Sequence, residues 1–80
     1  MKIEVLGTGC AKCVKLYNEV VEAVRLSEID ATVEKVEKID EIMKRGIMMT
    51  PGLVIEGQVV SSGKVLKAQQ IVELIKSASA

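Results

Sequence analysis

Gly7-Thr8-Gly9-Cys10-Ala11-Lys12-Cys13-Val14-Lys15 holds both cysteines of this 80-residue chain, and its two flanks decide how they are used. Upstream, Lys2-Ile3-Glu4-Val5-Leu6 is a short run of strand character. Downstream, as far as about Ser27, apolar residues recur every three or four positions, as on one face of an amphipathic helix. The cysteines therefore stand where a strand hands over to a helix. The first backbone N–H groups of a helix have no internal partner, and the aligned peptide dipoles put partial positive charge there, so an anion is stabilised. A thiolate is an anion, and it is the form of cysteine that attacks disulfides or binds soft metals.

The helical pattern separates the two cysteines. Cys13, Tyr17, Val20, Val21 and Val24 form the expected inward face, with Lys12, Lys15, Glu19, Glu22 and Arg25 on the other side. Cys13 thus begins the buried face, whereas Cys10 lies at or just before the first turn, where its sulfur meets solvent. Cys10 is expected to attack and Cys13 to resolve. The bland alternative treats the pair as two small buried apolar residues. A structural staple is a poor account, because cysteines this close in sequence close almost no loop and constrain the unfolded chain weakly.

Composition narrows the function. Residues 1–80 are expected to form one domain, being too few for two cores. Eleven basic and eleven acidic residues cancel, and the longest basic run is Lys44-Arg45, so a nucleic-acid partner has no electrostatic footprint. Tyr17 is the one aromatic, which leaves no base-stacking platform. The apolar stretches are too short for a membrane span or signal peptide, and Cys-x-x-Cys amid strand-helix-strand patterning reads as a cytoplasmic redox motif. Nothing demands more than a monomer.

Further along, Ala31 to Glu37 reads as a half-exposed edge strand, with Ala31 and Val33 on one side and Thr32 and Glu34 on the other. A short helix from about Ile39 to Arg45 carries Ile39, Ile42 and Met43 on one side, with Gly46 placed to end it. Leu53-Val54-Ile55 and Gln58-Val59-Val60 are strands joined by a two-residue turn, Glu56-Gly57. Ala68, Ile71, Val72, Leu74, Ile75 and Ala78 mark a last helix whose start is poorly capped, since Lys67 stands where Ser, Thr or Asp would serve better. The order is β-α-β-α-β-β-α. The first strand-helix-strand unit should be right-handed with parallel strands, and the hairpin completes a four-stranded mixed sheet in an α/β fold.

Gly7-Thr8-Gly9-Cys10-Ala11-Lys12-Cys13 after the first strand, Met49-Thr50-Pro51 before the third and the element order together resemble the thioredoxin and glutaredoxin superfamily, in particular its small redox-active disulfide proteins, the glutaredoxin-like thioredoxins. The resemblance covers essentially the whole chain. It implies a thioredoxin-like fold with sheet order 2-1-3-4 and three flanking helices, and a cis Thr50-Pro51 bond beside the cysteines. On the residues alone Pro51 is an ordinary strand-entry proline, since most X-Pro bonds are trans. The resemblance further implies a protein disulfide oxidoreductase without added cofactor, working through a redox-active Cys10-Cys13 disulfide. Its partners are a disulfide-containing protein substrate and an upstream reductase. Thr50 offers backbone hydrogen bonds to the bound chain and Pro51 shapes the site.

Three departures from the family pattern stand out. Gly9 replaces the aromatic that precedes the first cysteine in thioredoxins, and Ala11-Lys12 matches neither family dipeptide. Ser62-Gly63-Lys64 stands where glutaredoxins carry Gly-Gly and an acid for glutathione. Thioredoxins keep a buried acid beneath the cysteines, a part open to Glu4 if it faces inward; the residue-level reading is a partly exposed strand carboxylate, since burying an unpaired one is costly. Lys12 either holds a thiolate by charge or is a solvated helix residue.

Two rival functions remain open at this level. The same Gly-Thr-Gly-Cys-Ala-Lys-Cys stretch looks like the loop of small copper-carrying domains, and two thiolates suit Cu(I); with no histidine the chain lacks further ligands for structural zinc. Those domains end strand-helix-strand, however, whereas this chain ends hairpin then helix. The other rival is a redox-inactive interaction domain, in which Met43, Met48 and Met49 form an adaptable apolar surface rather than fill the core.

Overall fold

A computed structural model describes residues 1–79. The elements are β1 (Lys2–Leu6), α1 (Ala11–Ser27), β2 (Thr32–Val36), α2 (Ile39–Lys44), β3 (Gly52–Ile55), β4 (Gln58–Ser62) and α3 (Ala68–Ser79), in the expected order. They form one four-stranded sheet ordered β2-β1-β3-β4. β1 runs parallel to β2 and antiparallel to β3, and β3 is antiparallel to β4. β2 is the edge strand that its half-polar sequence implies.

Alternation along β1 assigns the two faces of the sheet. Ile3 and Val5 join Leu16, Val20 and Ala23 of α1, Leu53 and Ile55 of β3, and Ile71 and Ile75 of α3 in the larger core cluster. Leu6 points the other way, into a smaller cluster with Ile42, Ile47 and Val54. Two helices therefore cover one face and α2 covers the other. The buried stripe of α1 is Cys13, Leu16, Val20 and Ala23, which corrects the face expected from the valines. Val21 is 45% exposed, and Tyr17 and Val24 are half-buried. The reason is that α1 packs against both the sheet and α3, and this double contact keeps Cys13 and Val20 in the stripe but completes it with Leu16 and Ala23 in place of Tyr17, Val21 and Val24.

The connections use local chemistry. In the hairpin, Ile55 pairs with Gln58 across Glu56-Gly57, whose φ values of 51° and 80° are both positive, as a type I′ turn requires. α2 ends in a Schellman arrangement: the N–H of Gly46, at φ 78°, donates to Met43 O at 2.9 Å, and that of Ile47 to Ile42 O at 3.4 Å. Ile42 and Ile47 then meet in the smaller cluster. α3 finds its cap outside its own start. Glu19 of α1 accepts from the N–H of Ala68 at 3.0 Å, and Gln70 Oε1 accepts from that of Lys67 at 3.0 Å. A carboxylate at a helix N-terminus also meets the positive end of the dipole.

Candidate active site

Cys10 is the N-cap residue of α1, with extended backbone at φ −67° and ψ 165°. Its Sγ accepts a hydrogen bond from the backbone N–H of Cys13 at 3.2 Å, the place a capping oxygen usually fills. The next N–H, that of Val14, donates to Cys10 O at 3.0 Å. Cys10 and Cys13 are joined in a disulfide. Their exposures differ as the helix pattern implies: Cys10 is exposed, whereas Cys13 is 5% exposed. No acidic residue lies in the first turn of α1 to oppose an anion there, and Lys12 stands exposed on that turn.

Gly7 serves the buried cysteine directly. A Cβ on it would stand 2.9 Å from Cys13 Cβ, would overlap Cys13 Sγ, and would lie 3.9 Å from Thr50 Cβ. The bare Cα therefore makes room for the buried sulfur and lets the Thr50 segment approach. Its backbone is tied down as well, since the Gly7 N–H donates to Val36 O at 2.9 Å. The Thr50–Pro51 bond is cis. Pro51 is buried and Thr50 exposed, and the segment is braced from the end of β4, where Gly63 N–H donates to Pro51 O at 2.7 Å and Ser62 Oγ donates to Met49 O at 3.0 Å. Residues about forty positions apart in sequence thus converge on Gly7.

Glu4 does not join this group. It is 6% exposed, not the partly exposed carboxylate expected, and by alternation it shares the α2 face with Leu6, opposite the α1 face where Cys13 begins the buried stripe. Its burial is made tolerable by Arg45, whose Nη2 donates to Oε2 at 2.7 Å and whose Nε donates to both carboxylate oxygens at 3.2 Å. Arg45 Nη1 also donates to Glu41 O at 2.9 Å and to Glu41 Oε2 at 3.2 Å. The Arg45 hydrogen bonds hold the Glu4 carboxyl below the usual carboxylate range, against the opposing effect of burial.

Two further features border the cysteines. Ile39, Met43, Met48 and Met49 are exposed, Met48 almost wholly at 96%, and several of them line a shallow depression with Thr8 and Thr50. Met43, Met48 and Met49 are thus a surface and not core filling; of the three residues expected on one side of α2, Ile42 is buried while Ile39 and Met43 are exposed. On the α1 face, a small cleft is lined by Gly7, Gly9, Cys13, Tyr17, Lys35 and Glu37. Neither Lys35 nor Glu37 stood out in the sequence, because each belongs to an edge-strand pattern that reads as solvated.

The arrangement suits thiol–disulfide exchange. Residues 1–76 match the family model described as a thioredoxin domain. The chain is similar to the thioredoxin of Methanothermobacter thermautotrophicus, 37% identical over 75 residues that span 94% of this chain and 97% of that one. It is equally similar to the thioredoxin of Methanocaldococcus jannaschii, again 37% identical over 75 residues, spanning 94% of this chain and 86% of the relative. Nothing favours the copper-carrier alternative, whose strand-helix-strand ending the hairpin and α3 replace. With sheet order, paired cysteines and near full-length similarity in agreement, this chain belongs to the thioredoxin-domain family and is a thiol–disulfide oxidoreductase.

Proposed function

We propose that the reduced protein attacks disulfides of other proteins through Cys10 and releases them through Cys13, and that an upstream reductase restores the dithiol. The observation that carries this reading is the asymmetry of the pair: an exposed sulfur at a helix N-terminus bonded to a buried one. A thiolate at Cys10 gains from the Cys13 N–H and the helix dipole. Attack forms a mixed disulfide and frees the substrate's first sulfur as a thiolate. Cys13, held one turn away, then attacks Cys10 Sγ, closes the Cys10–Cys13 disulfide and expels the second sulfur. That resolving step is intramolecular and so avoids a second encounter.

The substrate chain is placed against exposed Thr50, beside buried Pro51, with Met43 and Met48 in the same depression as Thr50, and exposed Met49 nearby in sequence, accommodating apolar side chains. Residues 1–80 act as one domain and as a monomer in the cytoplasm; among the described residues no helix is long and apolar enough to cross a membrane. The test is a redox titration of metal-free protein in dithiol/disulfide buffers, read by alkylation and mass. A single reversible two-electron transition is expected within the roughly −180 to −270 mV spanned by disulfide isomerases and thioredoxins. Absence of an intramolecular Cys10–Cys13 disulfide under all buffers overturns the reading.

A further inference from the structure

The resolving step poses a problem that the cysteines alone do not solve. Cys13 is only 5% exposed, its sulfur lying against the Cα of Gly7. A thiol in such surroundings resists ionisation, yet only the thiolate attacks. Its proton needs a route out and a group to receive it. Glu4, the acid the family pattern offers, is on the other face of the sheet and engaged by Arg45.

The cleft beside Cys13 supplies both. Its volume is about 30 Å³, whereas roughly 10–15 Å³ suffices for one water, so a water or two fits between its walls. Val5 and Gly7 bring no titratable group to it from β1 and its end, nor does Gly9 from the loop. The groups that can exchange or offset a proton's charge are Tyr17 and Cys13 itself from α1, Lys35 from β2 and Glu37 just after β2. Lys35 is held by the Tyr17 ring, its Nζ 4.4 Å from the ring centre, one helical turn beyond Cys13. Glu37 reaches the other end of the cleft, where its Oε2 lies 3.6 Å from the position of a Cβ on Gly9, next to Cys10. A carboxylate and an ammonium thus share a water-sized space with the buried thiol.

We infer that Glu37 is the proton acceptor for Cys13 in the resolving step, through water in this cleft, and that Lys35 stabilises the Cys13 thiolate as it forms. The inference rests on the exchange reaction proposed above. The step balances: the proton of Cys13 Sγ passes to the Glu37 carboxylate, and the thiolate attacks Cys10 Sγ in the mixed disulfide. The Cys10–substrate S–S bond breaks as the Cys10–Cys13 bond forms. The expelled substrate thiolate then takes the proton from Glu37, leaving a neutral thiol and a regenerated carboxylate.

The experiment reacts reduced protein with excess dithiobis(nitrobenzoate) and follows its coloured thiolate. The first phase reports attack by Cys10, and the second reports release of the mixed disulfide by Cys13. In Glu37→Ala the ratio of second-phase to first-phase rate is expected to fall roughly tenfold or more, the low end of what a positioned proton acceptor contributes. Added formate should restore the ratio in a concentration-dependent way, which a merely structural defect would not permit. Lys35→Gln should lower the ratio without rescue by formate. Glu34→Gln, on the same strand but paired with Lys2, should leave it unchanged. A ratio in Glu37→Ala equal to that of the wild type, or lowered but indifferent to formate, overturns the inference. A wild-type protein with no second phase would instead sink the exchange reading itself.

Discussion

Replacing Arg45 by Met gives a sharp measure of how the α2 face is held. In the native protein the Glu4 side chain is 8% exposed and that of Arg45 28%. Removing the guanidinium strips three hydrogen bonds from a carboxylate that little else can reach. Breaking a buried pair in this way costs about 3–5 kcal/mol. The lower end, about 3 kcal/mol, applies because the space Arg45 vacates opens to water. For a domain of this size, that loss corresponds to a fall in Tm of about 12–24 °C. Glu4→Gln should cost less, about 1–2 kcal/mol, since Arg45 keeps Glu41 and solvent. The double variant Glu4→Leu with Arg45→Met should come out near the wild type, because a well-packed apolar pair often equals a buried ionic one. Linkage adds an independent readout. The folded-state pKa of Glu4 lies below the ordinary 4.5 of a glutamate, so its stabilisation is present above that pH and lost as pH falls through the lower folded value. Wild-type stability should therefore decline more steeply with acid than that of Glu4→Gln. Thermal and urea unfolding of the four proteins between acid and neutral pH decide the matter. A cost below about 1 kcal/mol for Arg45→Met would refute the claim that Arg45 makes the burial of Glu4 tolerable. Glu4→Gln should also leave the pH profile of Cys10 alkylation unchanged; a shifted profile would return Glu4 to the site.

Gly7→Ala should destabilise the protein by about 1–3 kcal/mol, the usual range for overpacking, and slow disulfide exchange, because the added methyl overlaps Cys13 Sγ; wild-type turnover in this variant would show that the sulfur has room to spare. Met48→Gln should leave stability within about 0.5 kcal/mol, given its near-complete exposure, while weakening capture of a disulfide-bearing apolar peptide, and equal affinity in a binding titration would remove Met48 from the contact surface. Glu19→Ala should cost about 1 kcal/mol and lower Tm by about 4–8 °C through loss of the α3 cap; an unchanged melting curve would mean that Gln70 caps the helix alone.

What was legible in the sequence was local or periodic. Period-two and period-3.6 patterns located all seven elements, and Glu56-Gly57 and Gly46 announced their turns because positive φ has few residue solutions. The sheet order came from the resemblance and not from the strands, since no pattern within a strand names its neighbour. The errors share a cause. The stripe of α1 takes in Leu16 and Ala23 because a second helix packs beside it. The start of α3 looked uncapped because its cap is Glu19, 49 residues earlier. Glu4 read as half-exposed because Arg45, the residue that makes its burial tolerable, lies 41 positions away. In each case the deciding partner is distant in sequence, and a window along the chain cannot contain it.

The site divides the same way. Cys10 and Cys13 were legible because a strand-to-helix junction makes an anion site from backbone alone, wherever the rest of the chain goes. Gly7 was legible only as a glycine: the positive φ of the loop falls on Gly9, at 91°, so what Gly7 contributes is space for a sulfur, and space is not written in any local pattern. The sheet then sets a constraint of its own. With α1 and α3 on one face and α2 on the other, a charge on β1 next to the redox helix in sequence can still belong to the wrong side, as Glu4 does. Groups that serve the buried thiol must come from residues sharing its face, and β2, parallel to β1 and ending beside the cysteine loop, brings Lys35 and Glu37 to that face. An edge strand that reads as solvated thereby brings charge to the cleft beside Cys13 without burying it.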